Sequence, residues 1–327
     1  MRGIVACGRD ELNSGVYGLG GTLDDGTFRA MPIWTAEVVV DEELVRRLLA
    51  QFPELAVRSL RRLSEGWDNS VWVVDELYAF RFCRRAVAAP RIEREIAVLP
   101  KLAPLLPLPV PRPAFVGRPA EDYPWPFFGC ELLPGVEAGE ASLDDEARLQ
   151  VGLELARFLR TFHALDVDEP LPLDFNGRAD MAKRTAWARE HLARLERLGL
   201  WRAPKRVARL LEEAERLPPP EPPVLVHGDL HFRHLLVERG AASGMIDWGD
   251  VCRADPAIDL PLLWSFVPPQ GRAAFLDAYG AVNEAQLLRA RVLALGLCAV
   301  LARYGRHEGF AGVEREALAG LERALAD

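Results

Sequence analysis

The spacing of apolar residues changes once along the chain, and this change limits the folds open to it. Between residues 57 and 132, short runs such as VRSLRRL, SVWVV, LYAFRF, AFVG and FFGCEL have the alternation and composition of β-strands. A helix predicted from Arg91 to Leu99 interrupts them. From Ser142 onward the apolar period becomes helical. Helices are predicted over 145–164, 178–197 and 203–216. The pattern predicts an α+β protein with a small β-rich lobe followed by a larger, mostly helical lobe.

The predicted lobes have approximate boundaries in the sequence. Residues 1–31 contain Gly-Gly and Asp-Asp-Gly without a helical period. We expect them to form a poorly ordered extension, with Met31 as the natural start. The small lobe is predicted over 32–133 and the helical lobe over 134–327. A chain of 327 residues is long enough to bury the cores of both.

Charge and cysteine usage narrow the class of protein. The net charge of −8 disfavours nucleic acid as the main partner, because phosphate binding needs a basic face. It is compatible with a cationic small-molecule partner. The five cysteines are scattered and form no C-x-x-C pair, which favours a reducing compartment. The apolar run from Val292 to Ala302 is short and flanked by arginines, so we expect a buried helix. With no clear signal peptide, we expect a cytoplasmic protein without membrane association.

The segment VHGDLHFRHLLV carries the densest chemistry of the chain. It contains three of the six histidines, His227, His231 and His234, around the single acid Asp229. One interpretation is a zinc site, but this spacing would gather the imidazoles only on a regular helix, and Gly228 argues for a loop. The zinc-protease pattern H-E-x-x-H is also absent.

The second interpretation centres on Asp229. A potential metal ligand, His234, follows five residues later, and a predicted hairpin then ends at Asp247 in the strand GMID. Kinase chemistry uses this layout. A first acid accepts the proton of the substrate hydroxyl, and a second holds magnesium against the β- and γ-phosphates. The hairpin would bring both acids into one site.

Taken together, HGDLHFRHLLV, GMIDWGD and ADPAIDL resemble the aminoglycoside phosphotransferase family, which belongs to the protein-kinase-like superfamily. The resemblance covers roughly residues 55–305. It implies a protein-kinase-like two-lobed fold and ATP, or another nucleoside triphosphate, as donor. It also implies magnesium as the metal and a small-molecule hydroxyl as the acceptor.

The resemblance also assigns roles within the helical lobe. Asp229 matches the catalytic base, and Asp247 matches the aspartate that binds the metal. His231 stands where protein kinases carry a phosphate-contacting lysine, and a structural hydrogen bond in the loop is the alternative. His227 is expected to brace the loop. Asp255 and Asp259 match a structural acid pair at the start of a helix, and Asp255 is expected to cap that helix and tie it to the catalytic loop. His163 is expected to be structural. Asp250 remains an unassigned acid that a cationic substrate could face.

In the small lobe, SEGWDNSVWVV resembles the loop that covers the nucleotide. Backbone amides near Asp68, Asn69 and Ser70 are expected to face phosphate. Arg81 stands where the family usually has a phosphate-binding lysine, and of Glu93 and Glu95 we choose Glu95 as its partner. In GCELLPG, the carbonyl of Glu131 and the N–H of Leu133 match adenine contacts.

Two positions depart from the family pattern. His234 replaces asparagine, and Arg81 replaces lysine. Magnesium prefers oxygen ligands, so His234 leaves three outcomes open. It ligates the metal and shifts the preference towards manganese, or it hydrogen-bonds a phosphate or a metal-bound water, or the chain is a non-catalytic relative. The main hypothesis is an ATP-dependent small-molecule kinase, and the alternative is a nucleotide-binding pseudokinase with a regulatory or scaffold role. A protein kinase is disfavoured, because only seven residues separate Asp247 from Asp255.

Overall fold

The computed structural model describes residues 36–66, 68–220 and 222–327. The extension predicted over 1–31 and the start proposed at Met31 lie outside these residues. The described chain forms two compact units. The first comprises the described residues up to Ile96 together with Pro113–Leu132, and the second comprises Ala97–Arg112 and Leu133–Asp327.

The first unit is built on one antiparallel sheet. Its elements are α1 (Glu42–Leu49), β1 (Leu60–Glu65), β2 (Asn69–Val74), β3 (Tyr78–Cys83), the first part of α2 (Ala89–Leu102), β4 (Phe115–Gly117) and β5 (Phe127–Glu131). The strand order is β1-β2-β3-β5-β4. The turn from β2 to β3 places Asp75 and Glu76 at φ 54°, the left-handed conformation that a tight hairpin turn requires.

Aromatic side chains fill the core of the first unit. Phe80 and Phe82 lie on β3 and Phe127 on β5, and all three are fully buried. The rings of Phe82 and Phe127 stack at 4.9 Å between centroids. Burying one such side chain contributes about 1.5–3 kcal/mol, so this cluster is a main source of the unit's stability. Arg81 lies between Phe80 and Phe82 on β3 and is itself buried.

The second unit is mostly helical with two small sheets. Its helices, after the end of α2, are α3 (Asp145–His163), α4 (Met181–Arg197), α5 (Lys205–Ala214), α6 (Pro261–Ser265), α7 (Arg272–Tyr279), α8 (Glu284–Glu308) and α9 (Ala311–Leu325). Its strands are β6 (Val136–Glu137), β7 (Val224–Val226), β8 (Leu235–Glu238), β9 (Ala241–Met245) and β10 (Cys252–Ala254). One sheet has the order β6-β8-β9, and β10 pairs with β7. The protein is thus α+β, as the change of period predicted.

Helix α8 is the most apolar long element among the described residues. By length and composition it could cross a membrane, but 72% of its most hydrophobic window is buried inside the protein. It packs against α4, α6 and α9. Asn283 begins the helix with a capping box shared with Gln286, and Gly309 ends it at φ 75°. These features are typical of a core helix.

Candidate active site

The loop from His227 to His234 connects β7 to β8, and the side chain of Asp259 anchors its start. The carboxylate of Asp259 accepts the backbone N–H groups of His227 at 2.6 Å and Gly228 at 3.0 Å. His163 Nε2 lies 3.2 Å from the same carboxylate. Burial alone would raise the pKa of Asp259, but the hydrogen bond from His163 and the loop N–H groups hold that pKa below its usual value.

The anchoring role was expected of Asp255, and the structure assigns it differently. Asp255 accepts the N–H of Ala257 at 2.9 Å, so it does cap the short helical turn that follows. Its other carboxylate oxygen pairs with Arg289 at 2.9 Å. Asp259 lies at the end of the short helical turn Pro256–Asp259. From this position its side chain reaches back to the start of the catalytic loop, just after β7. The expected tie to the loop is therefore corrected from Asp255 to Asp259.

Gly228 makes the sharp turn of the loop possible. Its φ is +85°, a conformation that side chains with a Cβ disfavour, and a Cβ at this position would lie 2.3 Å from the backbone oxygen of Asp250. His227 then supports the turn with both ring nitrogens. Its Nε2 donates to the carbonyl of Ile246 at 2.9 Å, and its Nδ1 accepts the N–H of Asp229 at 3.3 Å. Burial lowers the pKa of His227, which keeps this ring neutral.

The expectation that only a helix could gather the imidazoles is wrong. A turn closed by a hydrogen bond from His234 N–H to the His231 carbonyl, 2.9 Å long, brings them together. The rings of His231 and His234 lie 3.8 Å apart between centroids. Ligand atoms of Asp229, His231 and His234 all lie within 4.8 Å of one another, and all three residues are buried. A metal ion could thus find donors here without any helical spacing.

The orientation of His234 is fixed by the loop itself. Its Nδ1 lies 2.7 Å from the backbone oxygen of Asp229. A carbonyl oxygen only accepts, so Nδ1 carries the proton and the lone pair of the neutral ring lies on Nε2. That nitrogen is 3.6 Å from Oδ2 of Asp247, too long for a hydrogen bond. Metal–ligand bonds of about 2.0–2.2 Å would let both atoms reach one cation, so this nitrogen and oxygen fit a metal site.

Asp247 follows the end of β9 in an unusual backbone conformation. Its φ is 66°, in the left-handed region that non-glycine residues rarely occupy. The residue is 3% exposed. Such strain costs on the order of 1–3 kcal/mol and is concentrated at functional sites. The strand end therefore holds this carboxylate beside His234 at a cost in stability.

His231 has a different environment from His234. Its Nδ1 accepts the backbone N–H of Arg233 at 3.3 Å, which supports the loop turn. Burial, followed by the nearby His234, holds the pKa of His231 well below its usual value, so the ring is neutral. A neutral imidazole with Nδ1 engaged carries its proton on Nε2, which can donate a hydrogen bond. The suggested contact of His231 with the γ-phosphate remains a prediction.

Asp229 itself contacts a residue that the sequence did not single out. Arg178 Nη2 lies 3.3 Å from Oδ1 of Asp229 and 2.7 Å from Oδ2 of Asp250. Burial alone would lower the pKa of Arg178, but the two carboxylates raise it above its usual value. Asp250, which we considered as a contact for a cationic substrate, is thus already paired with a cation of the protein.

The first unit contains the residues predicted to contact nucleotide. Arg81 Nη1 lies 3.2 Å from Oε1 of Glu95, and both side chains are buried, whereas Glu93 is exposed. Asp68 is buried and its carboxylate pairs with Arg85 at 2.8 Å. This pair fixes the segment before β2, which begins with Asn69 and Ser70.

Glu131 ends β5, where it pairs with Tyr78 and is exposed. Leu133 belongs to the second unit, where it packs against Leu236 and Ile246. The nucleotide roles of the residues in both units remain predictions.

Two buried contacts of this region, one of them the Arg178 contact already described, went unnoticed in the sequence. Arg233, inside the catalytic loop, makes a bidentate ion pair with Glu137 on β6 at 2.8 and 3.0 Å. Arg178 comes from the turn FNGRAD before α4. An arginine within the loop motif was a readable signal for the first contact. No local pattern distinguishes Arg178 from the many other arginines, because its partners are distant in sequence.

Comparison with known proteins identifies the family. The model of the phosphotransferase enzyme family matches residues 59–294, which is most of the chain. The protein therefore belongs to this family and is a phosphotransferase of the kinase class. Among curated proteins, an uncharacterized protein YcbJ of Bacillus subtilis (strain 168) is 38% identical over 56 residues. That match spans 17% of this chain and 18% of the relative, so it adds no function.

Solved structures show the same fold. An aminoglycoside phosphotransferase, APH(2")-IIia in complex with GDP and kanamycin, matches with a TM-score of 0.65 at 22% identity, covering 86% of this chain and 98% of that one. The macrolide 2'-phosphotransferase MphH from Brachybacterium faecium matches with a TM-score of 0.58 at 23% identity, covering 85% and 98%. ADP-bound APH(2'')-Ib matches with a TM-score of 0.54 at 18% identity, covering 88% and 100%. The protein thus has the protein-kinase-like fold of these enzymes.

Proposed function

We propose that this protein is an ATP-dependent kinase that transfers the γ-phosphate to a hydroxyl group of a small molecule. One observation supports this above all others. The imidazole of His234 contacts the backbone of Asp229 through Nδ1 and faces Asp247 through Nε2. A candidate base and a candidate metal-binding acid therefore belong to one buried site, as phosphoryl transfer requires.

In the proposed mechanism, Asp229 accepts a hydrogen bond from the acceptor hydroxyl and takes its proton. The acceptor oxygen forms a bond to the γ-phosphorus as the bond to the ADP oxygen breaks. Asp247 and His234 would hold a divalent cation, magnesium or manganese, which neutralises phosphate charge when bound. Arg81, with Glu95, and the amides near Asp68 are proposed to position the triphosphate. Catalysis would then rest mainly on orientation and charge neutralisation.

The acceptor is proposed to be a small hydroxylated compound. Relatives in this fold include complexes with kanamycin, gentamicin and streptomycin, as well as macrolide phosphotransferases. These compounds are the first to test. Because Asp250 is paired with Arg178, a cationic acceptor would need to find its counter-charge elsewhere, so neutral sugars belong in the same screen as hydroxylated amines.

A screen of acceptors for ADP release, with ATP and GTP and with magnesium and manganese in turn, tests the proposal. Mass spectrometry should show an acceptor gaining one phosphate. Asp229→Ala should abolish this transfer, whereas Asp277→Asn, an exposed acid on α7, should leave it unchanged. Full turnover in Asp229→Ala would refute the assigned base.

A pseudokinase is the second candidate, because His234 and Arg81 stand where the family usually has asparagine and lysine. It predicts metal-dependent ATP binding, measured by calorimetry, with no transfer to any acceptor or to water. Creation of activity by His234→Asn would favour it further. Transfer by the unmodified protein would exclude it.

A further inference from the structure

Arg178 is a buried cation that contacts the proposed base. Its Nη2 atom touches Oδ1 of Asp229 and Oδ2 of Asp250. The two carboxylate oxygens are therefore at most about 6 Å apart, the sum of the two distances. All three residues are less than a tenth exposed. A charge at this depth is stable only with good partners, so the arrangement is built into the fold rather than incidental to a surface.

The turn that carries Arg178 is held in place on both sides. Asp174 accepts the backbone N–H groups of Arg178 at 2.7 Å and Ala179 at 2.9 Å. Its own N–H donates to the carbonyl of Arg253 on β10 at 3.0 Å. Arg184 on α4 donates to the carbonyl of Gly177 at 3.1 Å. These bonds fix the start of the arginine side chain relative to β10, whose neighbour β7 leads into the catalytic loop.

The contact has consequences for both carboxylates. Arg178 donates a hydrogen bond to Asp250 at 2.7 Å, and the directional geometry of this bond fixes the guanidinium. From that place its positive charge attracts one oxygen of Asp229, 3.3 Å away, and so favours one orientation of that carboxylate. Without a cation between them, two buried carboxylates this close would repel each other. Asp229 would then turn away from Asp250, and the acceptor hydroxyl would lose its aligned partner. A displacement of about 1 Å in such a group can cost about 100-fold in rate.

We propose that Arg178 is a positioning residue for phosphoryl transfer, which holds the Asp229 carboxylate in the orientation that receives the acceptor hydroxyl. The proposal rests on the role of Asp229 as base. Arg178 acts through Asp229 and needs no contact with the acceptor or the nucleotide. Its pairing with Asp250 secures the guanidinium at the required place.

A kinetic comparison of three variants separates positioning from simple charge balance. Arg178→Met should lower kcat by roughly 100-fold, with the KM for ATP within about twofold of the original value. Since it removes a cationic partner from the buried charge of Asp250, it can also weaken the fold. The double variant Arg178→Met with Asp250→Asn removes that charge and should recover the melting temperature while kcat stays low. Arg178→Lys keeps the positive charge but lacks the planar guanidinium that can contact two carboxylates at once, so it should give an intermediate kcat.

Arg148→Met provides the matched control. Arg148 is another buried arginine of the same unit, and it pairs with an acid on α9, Glu316, instead of an acid near the catalytic loop. Its loss should lower the melting temperature and leave kcat nearly unchanged. If the double variant regains full kcat, Arg178 only balances the charge of Asp250 and the proposal is overturned.

A measurement without any acceptor distinguishes failure of this proposal from failure of the proposed function. The protein is labelled with aspartate carrying carbon-13 in the side-chain carboxyl, and the Asp229 resonance is assigned by its loss in Asp229→Asn. Arg178→Met and the double variant should shift and broaden this resonance, and Arg148→Met should leave it in place. An unchanged resonance in the double variant would refute the positioning role, whether or not an acceptor is known.

Discussion

The proposed metal site would take its cation preference from His234. Its Nδ1 is engaged by the backbone of Asp229, so Nε2 is the nitrogen left to meet a metal beside Asp247. An imidazole nitrogen suits transition metals better than it suits magnesium, which prefers oxygen. The ring is also held rigidly between the loop and the strand end. Such fixed orientation is what makes a metal ligand selective.

We predict that manganese bound to the protein is ligated by a histidine nitrogen. Pulsed electron paramagnetic resonance should show nitrogen-14 modulation in the manganese complex. His234→Asn should remove this modulation and weaken manganese binding by about 10-fold or more, relative to magnesium. His307→Asn, at an exposed position on α8, is the control that should change neither. Nitrogen coupling that persists in His234→Asn would assign the ligand to another residue.

Asp259 is the residue whose charge holds the catalytic loop. Asp259→Asn should lower the free energy of unfolding by about 3 kcal/mol, because charge-assisted bonds to two backbone N–H groups and His163 are weakened. Since the folded-state pKa of Asp259 lies below its usual value, its contribution is present above about pH 4 and is lost as the pH falls through the lowered pKa.

Urea unfolding measured from pH 7 down to pH 3 checks this prediction. The variant should lose less stability with acid than the original protein over the lowest part of that range. Asp166→Asn removes an exposed acid paired with Arg253 and should change stability by less than about 1 kcal/mol. Equal acid sensitivity of Asp259→Asn and the original protein would show that another group controls the loop.

The residues whose proximity could be predicted from sequence are those separated by one short, recognisable element. Asp229 and Asp247 are separated by a single hairpin, so their proximity follows from local structure. Arg178 and Asp259 reach the loop only through tertiary packing, and a single sequence does not record such contacts. The tie to the loop, expected of Asp255, is made by Asp259 for the same reason. One turn of backbone decides which carboxylate faces the loop.

At the scale of elements, helix α4 contains a buried titratable group that the chemistry does not use. His191 is 9% exposed, and among the described residues its Nδ1 has no hydrogen-bond partner. Its ring contacts Trp187 edge-on at 5.1 Å. Burial, with Arg303 and Arg194 nearby, lowers the pKa of His191 to about 3. The ring is therefore neutral in the packed helix at all moderate pH values.

We predict that His191 makes the protein acid-sensitive. Below about pH 6.5 the unfolded chain protonates this histidine while the folded chain does not, so stability falls as the pH drops towards 3. His191→Phe keeps a ring against Trp187 and removes the titration. The free energy of unfolding of His191→Phe minus that of the original protein should be roughly 2 kcal/mol higher at pH 4.5 than at pH 7.5.

Thermal or urea unfolding at these two pH values gives the comparison. His307→Asn should show no such pH-dependent gain, because His307 is exposed in the folded protein as it is in the unfolded chain. A constant difference between His191→Phe and the original protein at both pH values would mean that the folded state protonates His191 as readily as the unfolded state does.

The elements were predicted more accurately than their exact ends. The alternation around Phe80 and Phe82 identified β3 to within one residue, since a strand with one aromatic-rich face is hard to mistake. Helix α2 begins two residues earlier than predicted, at Ala89, because Pro90 is tolerated in its first turn, and it continues through Pro100 to Leu102. Only Asp75 and Glu76 separate the predicted strands SVWVV and LYAFRF, and they form the turn although neither residue is a glycine.

For the whole molecule, the amino-acid sequence defines two compact units and places the proposed base and metal ligands in the second. Long-range ion pairs secure that unit. Arg148 on α3 forms a bidentate ion pair with Glu316 on α9, and both side chains are buried. Such a pair fixes the position of α9 more than it adds net stability, because desolvation offsets much of the attraction. The sequence distance between these partners explains why the sequence did not reveal them.

Ligand binding should be visible in the stability of the whole molecule. A ligand that binds only the folded state at 100 times its Kd adds about 2.7 kcal/mol to the free energy of unfolding. At about 2–4 °C per kcal/mol, ATP with manganese should raise the melting temperature by roughly 5–10 °C. Asp247→Asn should lose the part of this shift that depends on metal, since it removes a proposed ligand. An equal shift in EDTA and in manganese would show that nucleotide binds without the cation and would remove Asp247 from the metal site.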